Sequence, residues 1–253
     1  MQRYFVKQAD LPELFGLPSE IYQHAIVVMR MKKGDCFEVV TTQKQVLLVE
    51  LVEVTAQTAK VRVLKRFEHQ VELPVRVTLA CGLPKKDKAE WIVQKGGTEL
   101  GAANFIFFGG EYSVAKWDSK KQPPQKVARL QKIAQNAAEQ AHRVVTPQVT
   151  FAPRLNKIAF NEFDYKVTAY EEAAKQGEKT VLKRLFEALQ AAEKGKQKSL
   201  IAVFGPEGGL SATEISDLRA QAFELAGLGP RIMRAETAPL YLLAALSFVL
   251  ELG

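Results

Sequence analysis

Sulfur and imidazole are scarce in this sequence. Two cysteines, Cys36 and Cys81, stand among 253 residues, both in apolar stretches and without CxxC spacing. That excludes a disulfide framework or a cysteine metal site and fits buried thiols in a reducing compartment. The histidines are only His24, His69 and His142, scattered without metal-ligand spacing, so no metal site is expected. Long apolar runs are missing as well. The stretch Met1-Gln-Arg-Tyr-Phe-Val-Lys7 has no signal-peptide core. The most apolar segment, near the C-terminus, falls short of the roughly 20 residues that span a bilayer. A cytoplasmic protein without membrane contact is expected. No GxGxxG follows a strand, and neither a Walker A loop nor a serine nucleophile elbow occurs. Those absences argue against dinucleotide binding, nucleotide hydrolysis and serine-hydrolase chemistry.

What is present is an ordinary globular composition, 47% hydrophobic and 25% charged. The length allows one large domain or two of ordinary size. The formal net charge is +7 and the pI about 9.3. That balance suits a polyanionic partner, most simply nucleic acid, although a generally basic surface would account for it equally well.

The grammar of the chain changes near residue 70. Before it, Arg3 to Val6, Cys36 to Val40, Val46 to Val54 and Ala59 to Leu64 read as short β-branched strands, with a turn at Gly34-Asp35 and a short helix capped by Ser19. Such spacing suggests a small barrel or curled sheet. The basic residues Arg3, Arg30, Lys32, Lys33, Lys60, Arg62, Lys65 and Arg66 are candidates for an RNA-facing surface; solvated strand-face charges are the plainer alternative. Phe67 to Pro74 reads as a linker. From Val75 the pattern becomes strand, loop, helix. Val75 to Cys81 is a buried strand, and Asp87 caps a helix over Lys88 to Leu100 that Gly101 ends. Asn104 to Phe108 is a strand, and Pro123-Pro124 closes a polar loop. A long helix covers Arg129 to His142 and stops at Pro147. Phe163 to Tyr170 is a strand, Val181 to Ala192 an amphipathic helix and Lys194 to Lys198 a basic turn.

Two glycine- and proline-bearing loops then follow. Leu200 to Phe204 reads as a buried parallel strand, broken by Gly205-Pro-Glu-Gly-Gly209. Ser211 and Glu214 have capping-box spacing, so a helix starts near Ala212. The second loop, Leu228-Gly-Pro-Arg-Ile-Met-Arg-Ala-Glu-Thr-Ala238, carries a possible cap at Thr237 and leads into an apolar helix over Leu240 to Leu250. Loops at strand C-terminal ends are where α/β folds bind small molecules. Bare backbone at three glycines can meet an adenine edge or ribose; a tight turn is the alternative. Glu99, Glu139, Arg143, Glu207, Arg231, Arg234 and Glu236 are candidate charged groups, with an i, i+4 salt bridge the plain reading of Glu139 and Arg143. The residues alone reach a ligand-binding α/β protein with a basic β-rich appendage.

The segments Gly205-Pro-Glu-Gly-Gly-Leu-Ser-Ala-Thr-Glu214 and Leu228 to Ala238 resemble the C-terminal signature of the ribosomal small-subunit RNA uridine-N3 methyltransferases, the RsmE family of the SPOUT superfamily. His24 to Asp35, Gln94 to Gly101 and Ala138 to Arg143 resemble its other stretches, so coverage is nearly full length. The resemblance implies an α/β fold with a PUA-like N-terminal β-barrel that binds RNA (residues 1–70) and a C-terminal domain (74–253) tied in a trefoil knot. It implies a homodimer, S-adenosylmethionine as cofactor, and methylation of N3 of a uridine in small-subunit (16S) ribosomal RNA. Carried onto this sequence, Ala169, Tyr170, Glu171, Phe204, Gly205, Pro206, Glu207, Gly208, Leu228, Gly229, Ile232, Met233, Arg234, Ala235, Thr237 and Ala238 are expected to hold the cofactor. Arg234, Arg143 and Glu236 are expected to handle the uridine, with Glu139 behind them. Met233, Ala235 and Ala141 depart from the family's usual leucine, threonine and serine. The alternatives are a SPOUT methyltransferase for another RNA or atom, and a non-catalytic RNA-binding assembly protein.

Overall fold

The computed structural model describes residues 1–117, 122–192 and 197–253. Residues 194–196 of the basic turn read over Lys194 to Lys198 lie outside them. The chain divides into two compact units, one formed by Met1–Glu72 with Ala138–Val145, the other by Leu73–Ala137 with Thr146–Gly253.

The first unit holds β1 (Arg3–Phe5), β2 (Leu14–Gly16), α1 (Ser19–Tyr22), β3 (Cys36–Val40), β4 (Gln45–Val54) and β5 (Ala59–Glu68). The strands make one sheet in the order β1-β3-β4-β5-β2, antiparallel except for β1 beside β3. Alternating apolar residues of β4 and β5 point inward, as a half-buried sheet demands. They pack with Ile21, Tyr22 and Ala25 in one core. Ser19 is the first helical residue rather than the cap; Pro18 occupies that place, and a π-helical turn over Gln23–Val28 continues α1.

The second unit runs β6 (Val75–Gly82), α2 (Lys88–Trp91), β7 (Asn104–Phe108), α3 (Gln122–Gln140), β8 (Gln148–Ala152), β9 (Tyr165–Ala169), α4 (Glu171–Lys175), α5 (Val181–Gln190), β10 (Lys198–Phe204), α6 (Ala212–Ala220), β11 (Glu224–Ala226) and α7 (Thr237–Ser247). The last residues of α3, from Ala138, fall in the first unit. Its six strands are parallel, in the order β11-β9-β10-β6-β7-β8. β10 lies between β9 and β6, so both its edges are paired, and alternate residues pack into two cores, Leu200, Ala202 and Phe204 on one face and Ile201 and Val203 on the other, which is why it is a continuous apolar run.

Several local expectations change. Asp87 precedes α2 but makes no side-chain cap, and a π-helical stretch over Ile92–Thr98 continues that helix. Pro123-Pro124 lies inside the first turn of α3, where a missing N–H costs nothing. Thr237 is the first residue of α7 rather than its cap; Glu236 holds that place without a capping bond. Ser211 and Glu214 do form the capping box, with Glu214 N–H to Ser211 Oγ at 3.1 Å and Ser211 N–H to Glu214 Oε2 at 2.9 Å. Among the described residues no helix is long and apolar enough to cross a membrane.

Candidate cofactor site

Parallel pairing of β9 with β10 and β11 brings the C-terminal ends of all three strands to one edge of the sheet. The loops that leave these ends enclose a cavity of about 670 Å³. That size is typical of small-molecule sites. The loop after β10 is tight by necessity. A Cβ on Gly205 would come within 2.7 Å of the Gly209 carbonyl carbon, and one on Gly208 within 2.8 Å of Tyr112 Cβ. Gly209 and Gly229 hold φ of +76° and +100°, the left-handed region where glycine is unstrained. The Gly209 N–H closes the turn on the Pro206 carbonyl at 2.9 Å.

Charge enters the cavity from several elements. Glu207 Oε1 accepts the Lys85 N–H at 3.0 Å and lies 2.9 Å from Lys88 Nζ. Burial pushes the Glu207 carboxyl up, but these donors outweigh it and hold it below its usual range. Lys88 also pairs with Glu236 Oε2 at 3.1 Å, an ion pair whose angle falls short of a hydrogen bond. At the rim Lys175 meets Glu171 and Glu172 at 2.6 and 2.8 Å. Hydrogen bonds to both carboxylates push its ammonium well up. Arg231 and Arg234 are exposed on the lining.

Every cofactor residue expected from the sequence lines this cavity except Thr237, which is exposed at the start of α7. Lys88, Glu172, Ala174, Lys175, Gly209, Leu210, Pro230 and Arg231 line it too. No local pattern marks Lys88, since it owes its place to strands that fold back from far along the chain.

The other candidates are placed differently. Glu236 adjoins the cavity through Lys88. Glu99 is exposed and does not line it. Arg143 and Glu139 belong to the first unit and do not line it. Arg143 is buried, and its guanidinium is engaged by Glu72, with Nε 3.1 Å from Oε2. Glu72 also accepts the N–H groups of Val144 and Val145. It lies in what the sequence suggested was only a linker. α3 ends at Gln140, so Arg143 lies just beyond the helix on which the i, i+4 spacing was read. After burial, the Glu139 charge helps push the Tyr4 phenol up to about 12.

Arg3 is corrected outright. It is 1% exposed, bonds Glu38 Oε2 from Nε at 2.8 Å, and donates to the carbonyls of His142 and Arg143. A guanidinium so enclosed cannot face RNA. Arg30, Lys32 and Lys33 are exposed. No group of three or more His, Cys, Asp or Glu among the described residues could hold a metal ion.

The fold and site together define a parallel α/β protein with a loop-built small-molecule cavity, and residues 71–247 match the model of the RNA methyltransferase domain. A Bacillus subtilis protein named ribosomal RNA small subunit methyltransferase E is 42% identical over 100% of this chain and 98% of its own length. One of the same name from Synechocystis is 35% identical over 88% of this chain and 69% of its own. A solved putative methyltransferase from Legionella pneumophila, in complex with the bound cofactor SAM, superposes with a TM-score of 0.81 at 25% identity, covering 97% of this chain and 96% of that one. The chain belongs to the ribosomal RNA small subunit methyltransferase E family.

Proposed function

We propose that this member of the family transfers a methyl group from S-adenosylmethionine to N3 of one uridine in small-subunit (16S) ribosomal RNA. The observation that carries the cofactor half is the cavity itself: nearly all of the expected lining converges there from three loops far apart in sequence. The residues fit the group. Gly205, Gly208 and Gly229 present backbone without side chains, Phe204, Leu228, Met233 and Ala238 supply apolar walls, and Glu207 supplies a carboxylate for ribose hydroxyls or an ammonium.

S-adenosylmethionine supplies, when bound, a methyl group on a positively charged sulfur. The chain's own task is mostly positioning. A uridine N3 must lose its proton, and the charge then spreads onto the flanking carbonyl oxygens. Arg234, exposed on the cavity lining, is suited to meet those oxygens. Glu236 is the carboxylate assigned to the proton, directly or through water.

The finer architecture belongs to the same reading. A PUA-like barrel over residues 1–70 would present Arg30, Lys32 and Lys33 to RNA, and a trefoil knot would tie the unit that carries the site. The insertion of β10 between β9 and β6 is compatible with a threaded chain. A homodimer is supported by an apolar face on the last helix, where Tyr241 and Phe248 are exposed. The protein would act in the cytoplasm, where ribosomal subunits are made.

The test is methyl transfer from labelled S-adenosylmethionine to small subunits from a strain lacking this gene, with the product nucleoside identified by mass spectrometry. N3-methyluridine at one site is the expected result; label at another atom or RNA would overturn the choice of target. Arg234→Ala should cut transfer about a hundredfold, with cofactor affinity little changed.

A further inference from the structure

Lys88 stands outside every motif read from the sequence, yet it is the cation on which Glu207 of the cavity lining and Glu236 beside it meet. Its Nζ lies 2.9 Å from Glu207 Oε1 and 3.1 Å from Glu236 Oε2. The two carboxylates come from different loops, Glu207 from the turn after β10 and Glu236 from the approach to α7. All three side chains are largely shielded, at 28%, 24% and 14% exposure for Lys88, Glu207 and Glu236. Just before Lys88, the Lys85 N–H bonds the same Glu207 oxygen at 3.0 Å, and Lys86 is held at a φ of +57°. A non-glycine residue keeps that conformation only where its surroundings enforce it. The carboxylates of Glu207, through its hydrogen bond, and Glu236 push the Lys88 ammonium up.

We propose that Lys88 is a positioning residue, whose ammonium gathers Glu207 and Glu236 and thereby fixes two loops of the cofactor cavity against the start of α2. Both oxygens touch one nitrogen, so removing the cation leaves two carboxylates facing each other. Like charges at that range favour protonation of one of them. The remaining charged groups lining the cavity are Glu171, Glu172, Lys175, Arg231 and Arg234. Lys175 is engaged by Glu171 and Glu172.

The proposal rests on the reading that this cavity takes S-adenosylmethionine. The experiment measures affinity for S-adenosylmethionine by calorimetry from about pH 8 to about pH 5, a window in which ordinary carboxylates stay ionised. Wild type, Lys88→Arg, Lys88→Met and Lys88→Met/Glu236→Gln are compared, Glu236 being the partner of Lys88 that does not line the cofactor cavity. Lys88→Met should bind about tenfold more weakly at pH 8 and recover toward pH 5, as one carboxylate takes up a proton. Lys88→Arg should stay within about threefold of wild type, and the double variant should regain affinity and lose the pH dependence. A merely structural loss would be uniform in pH and would not be rescued by Glu236→Gln; that result, or unchanged affinity in Lys88→Met, overturns the proposal. Should Lys88→Met fail to fold, the double variant decides: restored folding and binding supports the proposal, and failure of both overturns it. Wild type that bound no S-adenosylmethionine would overturn the cofactor reading and the proposal with it, whereas normal wild-type binding confines any failure to Lys88.

Discussion

Burying a carboxylate is unfavourable unless donors meet its oxygens. Glu178, between α4 and α5, satisfies that condition through distant parts of the second unit. It accepts the N–H groups of Val181 at 2.8 Å and Gly227 at 2.9 Å, with the Thr180 N–H and hydroxyl on the same carboxylate. Gly227 opens the loop that carries Leu228 and Gly229 into the cavity, so one side chain fixes the start of α5 and the third cavity loop together. Burial pushes the Glu178 carboxyl up, but the backbone donors outweigh it and hold it below its usual value. A carboxylate depressed in the folded state binds fewer protons there than in the unfolded chain. Its stabilisation is therefore complete above the unfolded pKa and fades as pH falls through the folded one. Glu178→Gln should lose about 1–2 kcal/mol at neutral pH, and its deficit should shrink in acid. Urea denaturation of both proteins at pH 7 and at about pH 3 measures this; a deficit that stayed constant or grew in acid would refute the assignment.

At the scale of elements, the site depends on how closely β6 approaches the loop after β10. A Cβ on Gly82 would lie 2.5 Å from Pro206 Cδ and 2.6 Å from its nitrogen, so alanine there must push the Gly205-Pro206 turn outward. Gly82→Ala should cost about 1–3 kcal/mol and weaken S-adenosylmethionine binding. Gly16→Ala, where nothing lies within 4 Å of the added carbon, is the matched control and should change neither. Thermal melts and calorimetry of the two variants read this directly, and equal behaviour would remove the steric account. The same elements show what the sequence reveals. The passage from β10 through Gly205 to α6 was legible because its signals are local: an apolar run, a glycine break and a capping box. The strands β2, β8 and β11 were not anticipated, being only 3, 5 and 3 residues long and defined by remote partners. The start of α3 was missed because its proline pair looks like a loop until its place in the first turn is known. Charged groups were hardest to read. Lys88 meets a partner 119 positions away, Arg143 one 71 away, and Glu178 one 49 away. Residue type alone could not tell the enclosed Arg3 from the exposed Arg30.

For the whole molecule, the formal charge of +7 suits an RNA partner and keeps copies of the chain apart at long range. In the proposed homodimer the last helix would work against that repulsion. Leu242, Leu243 and Leu246 bury one side of α7 in the core of the second unit, while Tyr241 on α7, and Phe248 and Leu252 on the π-helical turn over Phe248–Leu252, stay exposed at 43%, 64% and 77%. Their spacing places these three on one helical face. Association gains about 25 cal/mol for each Å² of such apolar surface removed from water. A second copy brings the same face by symmetry, and a two-fold contact between identical patches closes on itself without leaving a further patch exposed. Dimerisation through this face predicts that light scattering of purified wild type gives twice the chain mass, and that Tyr241→Glu/Phe248→Glu gives the chain mass with secondary structure intact by circular dichroism. Because the face begins only a few residues after Glu236 and Ala238, the monomeric variant should also bind S-adenosylmethionine more weakly. A wild type that is monomeric at micromolar concentration, or a double variant that remains dimeric, would move the contact elsewhere on the molecule.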